Sequence, residues 1–115
     1  MAELNISERQ IGDISILDLD GDIIFSQGNL KLRRAIRRLL GEGKKKILLN
    51  FYRVRFLDSS GIGELVSGLV VSDREGGQLK ILNLKQGTQY LLEVTKLLRV
   101  FDVYENETDA LNSYS

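Results

Sequence analysis

The hydrophobic pattern of this chain switches repeatedly between the period of a buried strand and that of a helix. Residues 46–51 (KILLNF) form a continuous apolar run, which is typical of a strand buried on both faces of a parallel sheet. The next segment places apolar residues at the spacing of one helix face, namely Ile62, Leu65, Val66, Leu69 and Val70. Residues 79–84 (LKILNL) then form a second run of the buried-strand type. This alternation predicts right-handed crossovers and a largely parallel sheet.

The same periods place further elements on both sides of these segments. We predict strands at 4–9, 13–19, 23–25 and 100–104, and helices at 29–40, 87–98 and 108–114, with Asp20-Gly21 as a turn, Asn29 as an N-cap and Gly41 as a C-cap. The order is β-β-(β)-α-β-α-β-α-β-α, where the bracketed strand is 23–25. The chain is therefore predicted to be α/β, one domain over residues 1–115 with a mixed, largely parallel sheet of four to five strands and about four helices.

Four residue types are absent from the 115 residues: Cys, His, Trp and Pro. Without Cys there is no disulfide, thiolate nucleophile or Cys-ligated zinc, and without His there is no Ser-His-Asp arrangement and no imidazole metal ligand. Carboxylates, Lys and Tyr are the side chains left for proton transfer. We therefore expect no enzymatic activity, no catalytic residues, no metal site and no cofactor.

The charges of the chain balance, because sixteen Lys and Arg residues stand against sixteen Asp and Glu residues. This balance argues against a protein that neutralises a phosphate backbone. No apolar run approaches the roughly 20 residues that span a bilayer, and the first ten residues do not resemble a signal peptide. The sequence thus predicts a cytoplasmic protein that binds neither nucleic acid nor membrane.

One segment is strongly basic all the same. Residues 31–46 (KLRRAIRRLLGEGKKK) carry half of all the Lys and Arg residues, and these bases lie opposite the apolar stripe of the predicted helix. A solvated face, or a face for an acidic protein partner, is one interpretation. A nucleic-acid or anionic-membrane surface is the other, although no aromatic residues are interleaved to stack on bases.

Asp18, Asp20 and Asp22 occupy every second position and would share one face of an extended chain. Convergent carboxylates of this kind bind divalent cations. The run D-L-D-G-D begins like an EF-hand loop, but Ile23 stands where the loop requires Gly and Asn29 where it requires a bidentate Glu. Solvated acids at a strand end are the favoured interpretation, and an enzyme or metal-binding protein that uses these three carboxylates is the alternative.

The most unusual local chemistry lies at residues 56–64 (FLDSSGIGE), where two serines and two glycines stand at the change from strand to helix. Neither the phosphate-loop pattern G-x-x-x-x-G-K-[ST] nor the nucleophile pattern G-x-S-x-G is present. Asp58 and the serines have the residue types of helix caps. The alternative is that a serine is the substrate of a kinase, because a phosphate would change how this surface meets a partner. Capping does not account for both Gly61 and Gly63, which admit close approach of another backbone.

Three segments, in the right order, resemble the STAS domain of the anti-sigma factor antagonists: ILLNFYRVRFLDSSGIGELV at 47–66, REGGQLKILNL at 74–84 and YLLEVTKLLRVFDVYENETDAL at 90–111. Together with Gly21-Asp22 they cover nearly the whole chain. The resemblance implies a bacterial phosphoprotein that regulates transcription by partner switching. In that family the serine after the Asp is phosphorylated by an anti-sigma factor that is a serine kinase, and here that serine is Ser59.

The resemblance also implies the partners and the binding surface. The unphosphorylated antagonist binds the anti-sigma factor and so frees a sigma factor, and a serine phosphatase of the metal-dependent type reverses the phosphorylation. The implied partner face comprises Asp22, Asp58, Ser59, Ser60, Gly61 and Gly63. Ile24 departs from the family, which often has a second acid at that position, and the departure bears on how the partner docks. The alternative within the same fold is a constitutive scaffold or a transporter-associated regulatory domain that does not use serine phosphorylation.

Overall fold

The computed structural model describes residues 3–24 and 27–115. In chain order the elements are β1 (Asn5–Ile11), β2 (Ile14–Ile23), α1 (Gln27–Gly41), β3 (Lys46–Leu57), α2 (Ser59–Arg74), β4 (Gln78–Leu82), α3 (Gln86–Val94), a short 3-10 helix (Leu98–Val100), β5 (Val103–Tyr104) and α4 (Glu107–Asn112). This order agrees with the predicted one except at the bracketed strand 23–25 and at the 3-10 helix, which takes the start of the strand predicted at 100–104. Ile23 belongs to β2, and Phe25 lies outside the described residues.

The five strands form one sheet in the order β1-β2-β3-β4-β5. β1 is antiparallel to β2, and the other neighbouring pairs are parallel. The prediction of an α/β fold with a mixed, largely parallel sheet and four helices is therefore confirmed. Because β2 and β3 are neighbouring parallel strands, their carboxyl ends lie together at one end of the sheet.

Apolar side chains pack on both faces of the sheet. The larger cluster joins α1 and α2 to one face and contains Leu49 from β3 and Leu65 from α2. The smaller cluster joins α4 to the other face and contains Leu48 from β3 and Ala110 from α4. Successive residues of the 46–51 run thus belong to opposite clusters, and the prediction of a strand buried on both faces is confirmed.

β2 continues through the position predicted as a turn, so the Asp20-Gly21 turn is wrong. Gly21 is part of the strand, with a φ of +128°, and a Cβ on it would overlap the carbonyl oxygen of Glu3. The missing side chain therefore lets the N-terminal segment lie against β2. Pairing between β2 and β3 then continues as far as Ile23.

Helix boundaries also differ from the predicted ones, most clearly in α1 and α3. α1 begins at Gln27, so Asn29 lies within its first turn and is not the N-cap. Gly41, predicted as the C-cap, is the last residue of the helix. α3 ends at Val94, because the backbone leaves helical geometry at Lys96 with a φ of +61°. None of the helices within residues 3–24 and 27–115 combines the length and the apolar character needed to cross a bilayer.

β3 departs furthest from its predicted bounds. The apolar run predicts a strand that ends at residue 51, whereas β3 continues to Leu57. The added residues pair with β2 through two register shifts of the β-bulge type. Residues 52–57 are called the β3 extension below.

α4 and the residues after it are held to the sheet by Lys80, which is only 7% exposed. Lys80 Nζ donates to both the carbonyl and the hydroxyl oxygen of Ser113, at 2.9 Å each. The same ammonium lies 4.7 Å from the ring centre of Tyr114. The Tyr114 hydroxyl donates to the carbonyl of Ile47, so the C-terminal segment is attached to the first residues of β3 and β4.

Candidate functional site

The site predicted at residues 56–64 lies where β3 gives way to α2. Asp58 has an extended backbone and is the N-cap of α2. Its Oδ1 accepts hydrogen bonds from the backbone N–H of Gly61 at 2.9 Å and from the hydroxyl of Ser60 at 2.6 Å. Asp58 thus satisfies a donor that the first turn of a helix leaves unpaired, and the capping interpretation is correct for this residue.

The two adjacent serines have different environments. Ser60 is half-buried, and its hydroxyl is engaged by the Asp58 carboxylate. Ser59 is exposed as the first residue of α2, and within the described part of the chain its hydroxyl forms no hydrogen bond. An enzyme that approaches from solvent therefore finds the Ser59 hydroxyl accessible and that of Ser60 already bonded.

Backbone contacts bring the end of β2 to the start of α2. Ile23 pairs with Leu57, and the carbonyl oxygen of Ile23 accepts from the N–H of Asp58 at 3.3 Å. Gly61 lies against the same carbonyl, where a Cβ would overlap both that oxygen and the Leu57 side chain. The end of β2, which includes Asp22, therefore lies beside residues 58–61, and Asp22 is only 2% exposed there.

The two glycines of the first helical turn have different roles. The close approach expected at both of them is found at Gly61 and not at Gly63. Gly63 is exposed, and a Cβ on it would have no heavy atom within 4 Å among the residues described. Packing within the chain thus requires Gly61 to be glycine and leaves Gly63 without an intramolecular reason.

Sequence reasoning missed a buried carboxylate next to this surface. Glu64 is 6% exposed in α2 and forms an ion pair with the half-exposed guanidinium of Arg33 in α1. The hydrogen bond to Glu64 raises the pKa of the Arg33 guanidinium above its ordinary value. The predicted apolar stripe of α2 places Glu64 on the opposite face of the helix, so the sequence carried no signal for this buried pair.

The β3 extension is a second feature that sequence reasoning missed. It exposes Tyr52 and Phe56, which have relative exposures of 65% and 62%, and Arg53 and Arg55 are exposed as well. These residues immediately precede Asp58 and Ser59 in the chain. A surface that is both aromatic and basic thus adjoins the predicted site.

The three alternating carboxylates of β2 lie in three different environments. Asp18 accepts hydrogen bonds from Arg9 and from Asn50, Asp20 is exposed, and Asp22 is buried. The Arg9 hydrogen bonds, against the opposing effect of burial and with a further contribution from Asn50, lower the pKa of Asp18. The interpretation as solvated acids is therefore right only for Asp20. Within residues 3–24 and 27–115, no group of three His, Cys, Asp or Glu side chains is arranged to hold a metal ion.

The basic segment 31–46 is largely neutralised by ion pairs within the chain. These pairs join Lys31 to Glu3, Arg33 to Glu64, Arg38 to Glu8 and Glu42, Lys44 to the same two acids, and Lys46 to Asp13. The acids that pair with it from outside the segment come from the N-terminal segment, from β1, from the turn after β1 and from α2. The concentration of positive charge in the sequence is thus much weaker on the folded surface, which favours the solvated interpretation over a nucleic-acid surface.

Comparison with known proteins gives a consistent family. The family model described as the STAS domain matches residues 5–110. An anti-sigma F factor antagonist from Paenibacillus polymyxa is 28% identical over 65 residues, which are 56% of this chain and 56% of that protein. A TM1081 homolog from Thermotoga neapolitana is 25% identical over 101 residues, which are 88% of this chain and 89% of that protein. The first of these matches thus spans about half the length of the relative.

Solved structures have the same fold at lower identity. An anti-sigma factor antagonist from Mycobacterium paratuberculosis has a TM-score of 0.84 at 20% identity, with 96% of this chain and 93% of that chain covered. The Bacillus cell fate determinant SpoIIAA in its phosphorylated form has a TM-score of 0.74 at 19% identity, with coverages of 94% and 97%. A sulfate transporter family protein from Wolinella succinogenes has a TM-score of 0.71 at 15% identity, with coverages of 89% and 84%. At these identities the likeness shows a shared fold alone.

Proposed function

The chain belongs to the STAS domain family, and we propose that it is an anti-sigma factor antagonist switched by phosphorylation of Ser59. Without the phosphate it binds an anti-sigma factor, which is a serine kinase, and so frees a sigma factor for transcription. Phosphorylation of Ser59 by that kinase breaks the complex, and a serine phosphatase of the metal-dependent type restores it. Relatives and fold neighbours that carry the name of anti-sigma factor antagonists support this choice.

The single observation that carries the proposal is the difference between the two serines. Ser59 is exposed at the first position of α2, whereas the Ser60 hydroxyl is bonded to Asp58. A phosphate on Ser59 would keep its charge in water and close to the positive end of a helix of 16 residues. The folded state would therefore tolerate the modification, and its effect would fall on the surface and on whatever binds there.

The phosphate would act on binding through charge. It adds a charge of roughly −1.5 to −2 next to the Asp58 carboxylate, so the site would become strongly anionic. A partner surface fitted to a neutral hydroxyl would then have to desolvate the phosphate and face its charge. A loss of about 3 kcal/mol would weaken binding by a factor of roughly 10².

The proposed partner face comprises Asp22, Asp58, Ser59, Ser60, Gly61 and Gly63. Ser59 and Gly63 are exposed and would touch the partner directly. Gly61 and Asp22 are buried and would contribute to the face indirectly, Gly61 by letting the end of β2 lie against α2. Ile24, which replaces the acid often found in the family, removes one charge from this edge and so favours a partner with less positive charge there.

We further propose that the chain is not an enzyme and that it works in the cytoplasm without binding nucleic acid or membrane. With no His and no Cys in 115 residues, neither serine has a conventional base to activate it as a nucleophile. The Ser59 hydroxyl is therefore proposed as the substrate of another protein's chemistry. No cofactor is required for this role.

The test compares Ser59→Ala with Ser59→Asp in binding to the anti-sigma factor kinase of the same organism, in the presence of ATP and Mg²⁺. Ser59→Ala should stay bound while the wild-type chain gains one phosphate by intact mass and dissociates. Ser59→Asp should bind at least about tenfold more weakly than Ser59→Ala. Ser60→Ala is the matched control and should still be phosphorylated. Equal affinities of the Ser59 variants would refute the switch.

A constitutive scaffold or transporter-associated regulatory domain is the second candidate. It is favoured by the fold shared with the Wolinella sulfate transporter family protein. On this alternative the chain would bind its partner whether or not Ser59 is replaced, and incubation with kinase and ATP would leave its mass unchanged. The same two measurements therefore distinguish the candidates.

A further inference from the structure

The β3 extension has one edge that no strand covers in the described part of the chain. β4 pairs with β3 only from Lys46 to Asn50, whereas β2 follows the other side of β3 as far as Leu57. The N–H of Tyr52 is bonded to Asn50 Oδ1 at 3.2 Å, so the open stretch begins after Tyr52. An uncovered strand edge is a template for pairing with another chain, and proteins usually shorten, charge or cover it.

The side chains along this edge offer two kinds of contact, aromatic surface and positive charge. Tyr52 and Phe56 are among the most exposed large hydrophobic residues that the structure describes. Arg53 and Arg55 are exposed, and neither forms an ion pair with any residue in the ranges 3–24 and 27–115. Arg53 lies beside Asp20 in the β2–β3 ladder without an ion pair between them. The edge thus offers backbone hydrogen-bonding groups, aromatic surface and two positive charges together.

We propose that the open edge of the β3 extension binds an extended acidic segment of a partner protein, which adds to the sheet as a further strand. Backbone hydrogen bonds would supply the attachment, and side chains at alternate positions would supply the selectivity, as in other cases of strand addition. Carboxylates of the segment would approach Arg53 and Arg55, and its apolar side chains would contact Tyr52 and Phe56. This contact goes beyond the Ser59 switch, because it requires no phosphate.

Charge selects an acidic segment over the other occupants of a strand edge. A basic segment would meet two like charges, and unfavourable charge across an interface lowers affinity and selects against the wrong partner. A second copy of this chain fits poorly for the same reason. In a two-fold antiparallel pairing of two β3 extensions, the arginines of one copy would lie opposite those of the other.

The geometry of the strand indicates a short and reversible contact. The two register shifts interrupt regular pairing and increase the local twist, so only a few residues of an added strand can bond in register. The extension leads directly into Asp58 and Ser59. A segment docked on it would therefore be continuous with the proposed partner face.

The test uses a blocked peptide, acetyl-Glu-Val-Glu-Val-Glu-amide, titrated into the full chain and followed by amide chemical shifts in NMR. We expect shifts centred on residues 52–57 and a dissociation constant that rises about tenfold in the double variant Arg53→Glu, Arg55→Glu. The matched control is Arg34→Glu, Arg37→Glu, which makes the same charge change at exposed arginines of α1 that form no ion pair in the described ranges. This control should bind the peptide like the wild-type chain.

Several results would overturn the proposal. One is equal binding of the Lys analogue of the peptide, which would show that binding is non-specific. Another is an equal loss of affinity in the α1 control, which would show that the net charge of the chain, and not the β3 extension, attracts the peptide. Undiminished binding of a peptide with N-methylated backbone amides would exclude strand addition. Self-association of the chain that is abolished by Phe56→Glu would assign the edge to a second copy. Since no kinase and no phosphate enter this experiment, its failure leaves the Ser59 test intact, and the reverse also holds.

Discussion

The two halves of β3 share one strand and differ in how much of each half is buried. Residues 46–50 lie between β2 and β4 and pack on both faces, with Ile47, Leu48 and Leu49 fully buried. The β3 extension keeps β2 on one side, exposes Tyr52 and Phe56, and leads into the exposed Ser59. The extension still contributes Val54 to the larger core cluster. Burial is therefore continuous in the first half of the strand and confined to single positions in the extension.

The largest expected difference comes from truncating one side chain in each half. Leu49→Ala should lower the free energy of unfolding by about 2–5 kcal/mol, because it leaves a cavity in a fully buried site. Phe56→Ala should change it by less than about 0.5 kcal/mol, because most of that ring is already in water. Urea unfolding of both variants measures the contrast. Comparable losses in the two would mean that the Phe56 ring contributes to the core as Leu49 does, and the contrast between the two positions would be wrong.

The glycines at the start of α2 give a smaller and sharper contrast. Gly61→Ala should destabilise the chain by about 1–3 kcal/mol, because its Cβ would overlap the Ile23 carbonyl and the Leu57 side chain. Gly63→Ala has open space around it and should stabilise the helix by about 0.5–1 kcal/mol. Thermal unfolding with circular dichroism distinguishes the two. A stabilising Gly61→Ala would contradict the close contact between β2 and α2.

The smallest expected effect concerns the boundary between the halves, where Asn50 donates to Asp18. Because the Arg9 and Asn50 hydrogen bonds lower the pKa of Asp18, its stabilising contribution is present above the ordinary aspartate pKa of about 3.9 and is lost as the pH falls through the lower folded-state value. The destabilisation caused by Asp18→Asn should therefore shrink as the pH falls below about 4. Urea unfolding across this range measures it, with Asp20→Asn as the control for a charge removed from the same strand. Parallel curves for wild type and Asp18→Asn would contradict the assignment.

The parts of the fold that could be predicted are those where burial alone decides the residue type. The run at 46–51 needed only period and apolarity, and it lies where predicted. The predicted stripe of α2 is only partly correct, because Ile62 and Leu65 are buried but Val70 is 42% exposed. The buried face of α2 also includes the small residues Gly61, Gly68 and Ser72. The β3 extension could not be read in this way. Its sequence YRVRFL is interrupted by two bulges that break the alternation of faces, and its ladder depends on β2 rather than on its own composition.

Other differences between the prediction and the structure depend on contacts with residues distant in the sequence. Gly21 looks like a turn residue, but its glycine character is required by Glu3, which approaches it in the fold. Asn29 has the chemistry of an N-cap, yet the helix begins two residues before it. At the candidate site, the exposure of Ser59 and the bonding of Ser60 follow from cap geometry that the D-S-S-G run suggests, whereas the Arg33–Glu64 pair joins residues of two helices and has no local signature.

The attachment of the C-terminal segment has a practical consequence for experiments. Ser115 bonds to Gln78, the first residue of β4, which lies beside Lys46 at the start of β3. Ser59 lies two residues after Leu57, the last residue of β3, so the two serines lie near opposite ends of this strand. A surface tether or a fluorophore placed after Ser115 would leave the Ser59 end facing solution. The chain can thus be immobilised for binding measurements with Ser59 at the end of β3 that is away from the support.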